Sequence, residues 1–253
     1  MTRWMMVLTM LAATAFGLQA DDKETRRMFE LRMYTAKEGK LPKIVELFEK
    51  TGVVLYAKYD IKAHGFFTST DPKQPKFVAL LSHADKKSRD ENIAKVRGDE
   101  TFKTAFAALN ADGPIIEKAE EFFLNETDYT VAPAKSEGER VFELRSYTTT
   151  TGNLKHLDAR FRDHTRKLFE KYGMTNLWYF HQTAASKDAA NSLIYFMAHK
   201  SKEAHDQSFD KFRTDPEWIA ARDASEKVGG GSLTAKDGVK SLMLQATSFS
   251  PLK

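Results

Sequence analysis

The residues with the clearest chemical potential form a short motif that occurs twice in the chain. The first copy, Phe-Glu-Leu-Arg-Met-Tyr, spans residues 29–34, and the second, Phe-Glu-Leu-Arg-Ser-Tyr, spans residues 142–147, 113 positions later (142 − 29 = 113). Strict alternation of apolar and polar residues predicts a β-strand with two different faces. The polar face combines a carboxylate, a guanidinium and a phenol in each copy: Glu30, Arg32 and Tyr34, then Glu143, Arg145 and Tyr147.

We expect the apolar face of each motif to pack under helices and the polar face to point between two sheets. Charges enclosed there must be paired or hydrated, because an unpaired buried charge is costly. Two interpretations follow. In the first, the arginines hold an anionic or carbonyl group with their fixed donor fork, and the tyrosines add a hydrogen bond. In the second, glutamate and arginine form a structural network that joins the sheets.

Two histidines also stand at matched positions. His83 and His199 lie 116 positions apart (199 − 83 = 116), each at the predicted exit of a strand. They could act as bases or ligands, cap the following helix, or face solvent. Because we see no other histidine or carboxylate at metal-ligand spacing beside either one, the sequence predicts no metal site, and we expect no cofactor.

Aromatic residues are concentrated in two predicted strands of the second half. Trp178, Tyr179 and Phe180 lie in one strand, and Tyr195 and Phe196 in its neighbour. Half of them should face the space between the sheets, where Trp178 could line an apolar cavity for a flat ligand or belong to the core.

The elements around the motifs also repeat. Residues 27–130 read as β-α-β-β-α-β, residues 131–138 as a linker, and residues 139–253 as the same order again. Leu154, Leu157 and Phe161 of the second helix lie 113 positions after Leu41, Ile44 and Phe48. We therefore predict an α+β fold in which two tandem ferredoxin-like units pack sheet to sheet as an intramolecular dimeric α/β barrel.

Composition narrows the function classes. Of 253 residues, 42% are hydrophobic and 29% are charged, with a net charge of +4 and no cysteine. No long basic run favours nucleic-acid binding. Residues 1–20 combine Arg3, an uncharged run and small residues before Asp21, which predicts a cleaved signal peptide and a periplasmic or secreted protein without a stable membrane span after cleavage.

The chain resembles the NIPSNAP family. The resemblance lies in the Phe-Glu-Leu-Arg-x-Tyr motif that opens each unit, in Lys171-Tyr172-Gly173, in the run from Phe212 to Trp218, and in the final Phe249-Ser250-Pro251-Leu252. It covers residues 28–252 and is closer in the second unit. It implies a dimeric α/β barrel of the ferredoxin-like type, often in tandem, and it implies no established reaction and no catalytic residues.

Three functions are consistent with these observations. The first is an exported protein that binds a small molecule between sheets and helices. The second is a cofactor-free enzyme of oxygenase or isomerase type, and the third is a scaffold for proteins or membranes, with self-association open in each case. The chain has no P-loop, no Gly-x-Gly-x-x-Gly and no His-Glu-x-x-His. We favour the first.

Overall fold

A computed structural model of the protein describes residues 27–133, 139–184 and 186–253. The predicted signal peptide and residues 134–138 of the predicted linker lie outside these ranges. The first half contains β1 (Met28–Ala36), α1 (Leu41–Leu47), α2 (Val53–Lys58), β2 (Lys62–Ser69), β3 (Lys76–His83), α3 (Lys86–Gly98), α4 (Glu100–Leu109) and β4 (Ile116–Glu126). The second half contains β5 (Val141–Thr149), α5 (Leu154–Arg160), α6 (Arg166–Lys171), β6 (Thr175–Gln182), β7 (Ser192–His199), α7 (Lys202–Thr214), α8 (Pro216–Gly229) and β8 (Thr234–Ala246).

The eight strands form one closed antiparallel barrel in the order β1-β3-β2-β8-β5-β7-β6-β4. Each half supplies four adjacent strands. The halves meet where β2 pairs with β8, from Phe67–Ala246 to Ser69–Leu244, and where β4 pairs with β6, from Leu124–Gln182 to Glu126–Phe180. The predicted α+β fold of two β-α-β-β-α-β units is confirmed, and the two sheets join edge to edge as a ring.

The barrel interior is an apolar core that both halves build. Phe29 and Leu31 of β1 lie there with Phe142 and Leu144 of β5, all at most 5% exposed. Our expectation that this apolar face packs under the helices was wrong. Among the described residues the interior cluster is wholly apolar and contains no helix, so β1 and β5 turn the apolar face of the motif inward, and its polar face lies under the helices.

The helices cover the outer surface of the barrel and form two further apolar clusters, one for each half. Aspartates begin the second helix of each outer pair. Asp215 Oδ1 accepts hydrogen bonds from the backbone N–H groups of Glu217 and Trp218 at the start of α8. Asp99 Oδ1 accepts one from the Thr101 N–H at the start of α4.

The last strand of each half is longer than its apolar part. β4 begins at Ile116 and β8 at Thr234, several residues before the core residues Leu124 and Leu244. The additional residues are mostly polar, because each strand continues past the core at the edge of the barrel, where its backbone still pairs with β1 or β5. No helix among the described residues is long and apolar enough to cross a membrane.

Candidate functional site

The polar faces of the two motifs are paired within themselves. Arg32 donates from Nε to Glu30 Oε1 at 2.8 Å and from Nη1 to the Tyr34 hydroxyl at 3.3 Å. The second copy makes the same two bonds, at 2.6 and 3.1 Å, among Glu143, Arg145 and Tyr147. In each half the motif therefore places a carboxylate–guanidinium–phenol chain between the sheet and the helices.

The glutamate of the first motif is buried and has several donors. Glu30 is 0% exposed, with Oε2 2.8 Å from His83 Nε2 and Oε1 2.6 Å from Arg89 Nη2. Burial raises the pKa of Glu30, but hydrogen bonds from His83 and Arg89 and the nearby positive charges outweigh it and bring the pKa to about 2. This carboxylate stays ionised.

The glutamate of the second motif has a different set of neighbours. Glu143 Oε2 lies 3.3 Å from His199 Nε2 and 3.4 Å from His205 Nε2, and Oε1 accepts a bond from Ser241 Oγ at 2.5 Å. Burial raises the pKa of Glu143, but the hydrogen bonds from both histidines and the charge of Arg145 hold it well below its ordinary range. His83 and His199 each contact a motif glutamate, a neighbour that spacing along the chain did not indicate.

Trp178 lies apart from the other predicted site residues. Its side chain belongs to the core inside the barrel, where it meets the ring of Phe196 edge-on. The predicted aromatic wall is divided in two. Phe180 and Phe196 also point inward, whereas Tyr179 and Tyr195 point outward and stack on each other with ring centroids 5.0 Å apart.

A cavity of about 240 Å³ opens beside the second motif, between β5 and the helices α5, α7 and α8. Arg145 and Tyr147 form part of its base, and aromatic side chains form much of its wall: Phe161, Phe169, Phe209, Phe212 and Trp218. Three further arginines line it, namely Arg160, Arg213 and Arg222, against the single carboxylate of Glu226. The cavity is therefore aromatic and is lined by more guanidinium groups than carboxylates. Arg145, Arg213 and Arg222 pair with acidic residues outside the lining, which leaves Arg160 as the lining arginine without a close carboxylate.

The family model for NIPSNAP matches residues 29–130 and 142–251, which is most of the chain in two copies. The chain belongs to the NIPSNAP family. The two matched segments coincide with the two halves of the barrel, so one chain contains two NIPSNAP repeats. No curated protein sequence matches the chain.

Two solved structures share the fold over most of the chain. A candidate monooxygenase from Lactobacillus acidophilus NCFM is 12% identical in sequence and superposes with a TM-score of 0.57. The match covers 87% of this chain and 94% of the monooxygenase chain. An anthrone oxidase-like protein is 15% identical, with a TM-score of 0.57, and the match covers 90% of this chain and 94% of that protein's chain. A NIPSNAP family protein of unknown function from Agrobacterium tumefaciens C58 is 20% identical, with a TM-score of 0.37, and the match covers 42% of this chain and 93% of that protein's chain.

The first NIPSNAP repeat has a cavity at the corresponding place, of about 290 Å³, with Arg32 and Tyr34 at its base. Its remaining wall is almost wholly apolar. Leu47 stands where the second repeat has Arg160, 113 positions later, and Phe106 stands where it has Arg222, 116 positions later. The scaffold is thus shared, and only the second repeat has added cations.

Arg160 is the most unusual of these cations. It is 6% exposed, its Nε has no hydrogen-bond partner in the structure, and the nearest carboxylate oxygen, of Glu226, is 3.9 Å away. Its guanidinium lies 5.1 Å from the centre of the Trp218 ring. Burial lowers the pKa of Arg160 because no close anion compensates for the lost hydration.

Both NIPSNAP repeats position this part of the cavity with a π-helical turn. Phe48–Gly52 separates α1 from α2, and Phe161–Thr165 separates α5 from α6. Each turn inserts an extra residue into what is otherwise one long helix, a feature that often marks functional sites. In the second repeat the turn follows Arg160 directly, and the Thr165 hydroxyl donates to the Arg160 carbonyl at 3.1 Å.

Two residues of the site were missed by the sequence analysis. Arg160 and His205 both lie on helices, and nothing in their spacing shows that they approach the sheet. One signal was available: alignment of the repeats places a leucine opposite Arg160 and an arginine opposite His205. Such changes of chemical class within a repeated unit mark the positions where the two halves have diverged.

Proposed function

We propose that the second NIPSNAP repeat binds a small aromatic anion, such as a carboxylate or phenolate, in the cavity between β5 and its helices. The observation that carries this proposal is the buried guanidinium of Arg160, which lacks a close carboxylate partner. A buried charge without a partner is destabilising, so a bound anion would supply a missing interaction.

The walls of the cavity suit a planar ligand. Trp218 already carries the Arg160 guanidinium on its face, and Phe161 and Phe209 line the same space. A planar anion can accept two hydrogen bonds from a guanidinium and stack on these rings. The volume of about 240 Å³ is below the usual range for drug-sized ligands, which favours a molecule of one or two rings.

The first repeat supplies an internal comparison. Its equivalent cavity has Leu47 and Phe106 in place of Arg160 and Arg222, so it offers apolar surface without the additional charge. We therefore assign anion binding to the second repeat alone, with one ligand per chain.

Arg160→Leu, which introduces the residue of the first repeat, tests the proposal. We expect benzoate- and naphthoate-type anions to raise the melting temperature of the wild type and the corresponding neutral amides to have no effect. The variant should lose this response. Its ligand-free stability should be unchanged or improved, since the charge that is removed is buried and has only the Ser225 hydroxyl at 3.3 Å and the Glu226 carboxylate at 3.9 Å as polar partners.

Arg97→Leu is the matched control, because Arg97 lines the first cavity and is largely exposed. It should respond to the anions as the wild type does. Equal binding by Arg160→Leu, or no binding of any anion by the wild type, would refute the proposal. Native mass spectrometry of the chain purified from its own host would identify a ligand that co-purifies.

A second candidate function is a cofactor-free enzyme, favoured by the phenol of Tyr147 at the base of the cavity. The Tyr147 hydroxyl lies 3.1 Å from Arg145 Nη2 and 3.2 Å from the Tyr195 hydroxyl. With these two partners, the Tyr147 hydroxyl could hold an enolate or phenolate oxygen of a substrate. Turnover of a bound aromatic that is lost in Tyr147→Phe, with binding retained, would favour the enzyme over a binding protein.

We also propose that the protein is exported. The support is the charge pattern of residues 1–20, an uncharged run after Arg3 followed by small residues. Amino-terminal sequencing of the protein from periplasm or medium should begin at Asp21. Recovery of intact Met1 from the cytoplasm would contradict export.

A further inference from the structure

Three potential metal ligands converge at the end of the second motif. Glu143, His199 and His205 each direct one ligand atom to a common point, and these atoms all lie within 4.8 Å of one another. They come from three elements, β5, the end of β7 and the first turns of α7. The cluster is separated from the aromatic cavity by Phe209, one turn beyond His205 on α7, whose ring centroid is 4.8 Å from that of His205.

The two separations from Glu143 to the histidines match a tetrahedral site. Zinc–nitrogen and zinc–oxygen bonds of about 2.0–2.1 Å place neighbouring ligand atoms of a tetrahedron about 3.3 Å apart. Glu143 Oε2 lies 3.3 Å from His199 Nε2 and 3.4 Å from His205 Nε2. Two histidines and one glutamate are also a ligand set that zinc uses when one coordination position stays open.

The surroundings already orient the ligands. His205 Nδ1 lies 2.8 Å from Asp206 Oδ1, an arrangement in which the ring donates from Nδ1 and leaves Nε2 free to bind a cation. The second oxygen of Glu143 is held by Arg145 and Ser241, so Oε2 faces the histidines. Glu143 and His199 are buried, whereas the side chain of His205 is 14% exposed, which gives the point an opening to solvent.

The first repeat shows what the same scaffold does without these ligands. Arg89 stands where the second repeat has His205, and Glu121 pairs with Arg32 in the register position that Ser241 holds opposite Arg145. Arg89 Nη2 bridges Glu30 and Glu121, 2.6 Å from each. The arginine therefore supplies the positive charge in the first repeat, and the second repeat has replaced it with a residue that binds metals.

We propose that Glu143, His199 and His205 bind one divalent transition-metal ion, with zinc the best match to the donor set and spacing. The site is independent of the proposed aromatic-anion cavity, because it uses none of the cations assigned to that ligand. The alternative is a hydrogen-bonded cluster in which His205 takes the place of Arg89 and no metal binds.

The experiment measures zinc alone, by equilibrium dialysis with elemental analysis, on the full chain without an affinity tag and after chelator treatment. We expect one tightly bound zinc per chain. Cobalt should bind in its place with the strong visible absorption of a four-coordinate ion. His205→Arg, which copies the first repeat, should fold normally by circular dichroism and bind no zinc. His205→Gln serves the same purpose if the arginine variant does not fold.

Two further variants separate this site from others. His164→Ala removes an exposed histidine on the π-helical turn and should leave one zinc bound. Asp206→Asn removes the partner of His205 Nδ1 and should weaken zinc binding about 10–100-fold. The proposal is overturned if the wild type binds no stoichiometric zinc, if the His205 variants bind as the wild type does, or if His164→Ala abolishes binding, which would indicate an adventitious surface ion only. Retention of anion binding by His205→Arg is expected and distinguishes the two proposals.

Discussion

Buried ion pairs are the feature that the two repeats share at the scale of single residues. Glu30 and Glu143 are both 0% exposed, and each is bonded by the arginine two positions later. Such pairs add little net stability, but removing one partner leaves the other charge buried alone. Removing one partner is therefore expected to lower the free energy of unfolding by much more than the intact pair contributes to it.

Arg145→Met tests the pairing directly. Arg145 Nη1 bonds to Glu143 Oε1 at 2.6 Å, and Glu143 would keep Ser241 and the histidines but lose its permanent cation. We expect the free energy of unfolding in urea to fall by about 3–5 kcal/mol.

Glu143→Gln combined with Arg145→Met should recover part of this loss, because the double variant no longer buries a carboxylate without its guanidinium. Equal stability of Arg145→Met and the wild type would show that the pair is not needed for folding and that Arg145 is held for a ligand.

His64 makes the stability of the fold depend on pH. Its Nε2 lies within hydrogen-bond distance of the Ser82 hydroxyl, at 2.8 Å, while its ring lies against Phe29. Burial, with the charges of Lys62 and Arg27, lowers the pKa of His64 from 6.5 to about 4. The unfolded chain therefore binds one more proton between these values, and stability falls as the pH falls from 6.5 to 4.

His64→Gln should remove this part of the acid sensitivity. In urea titrations across pH 6.5 to 4, the wild type should lose up to about 1.4 kcal/mol per pH unit more than the variant. His164→Gln, at an exposed histidine, should follow the wild type. Identical slopes for His64→Gln and the wild type would mean that His64 is protonated in the fold.

At the scale of elements, one aspartate in each half both caps a helix and bonds to residues at the end of another helix. Asp215 caps α8 with Oδ1, and its Oδ2 accepts bonds from Lys171 at 2.7 Å and from the Tyr172 hydroxyl at 2.6 Å. Asp99 repeats the arrangement in the first half with Lys58 and Tyr59, both at 2.8 Å. Each aspartate thus joins the start of one helix to the end of another.

Substitutions at Asp215 should separate these purposes. Asp215→Ala loses the cap and both cross-links, whereas Asp215→Asn keeps an N-cap acceptor and loses the charge that attracts Lys171. We expect urea midpoints in the order wild type, Asp215→Asn, Asp215→Ala. Lys171→Met should lie near Asp215→Asn. If Asp215→Asn and Asp215→Ala have equal midpoints, the cap contributes nothing.

The whole molecule depends on ring closure. Residues 27–133 and 139–253 both contribute to the interior core, so each half alone would expose the apolar face that includes Phe29 and Leu31 or Phe142 and Leu144. The seams are short, with three residue pairs in the register of each. Burial of the shared core therefore provides most of the force that holds the halves together.

Separately expressed halves should for this reason dimerise or aggregate, and co-expression should restore a one-to-one complex. Sedimentation measures the mass of each half, and circular dichroism shows whether the complex unfolds in one transition. Two stable monomeric halves would contradict the dependence on closure.

The amino-acid sequence determined the repeat, the element order and the family, because alternation, helical spacing and the 113-residue offset are local or periodic properties. It also singled out the motif residues and the paired histidines. The tertiary structure decided which face of each strand points inward. Both faces are buried, one in the barrel and one under helices, so alternation cannot distinguish them. Tertiary packing also placed His205 beside Glu143 of β5 and Arg160 beside Trp218 of α8, because the approach of a helix to a sheet or to another helix depends on residues distant in the chain.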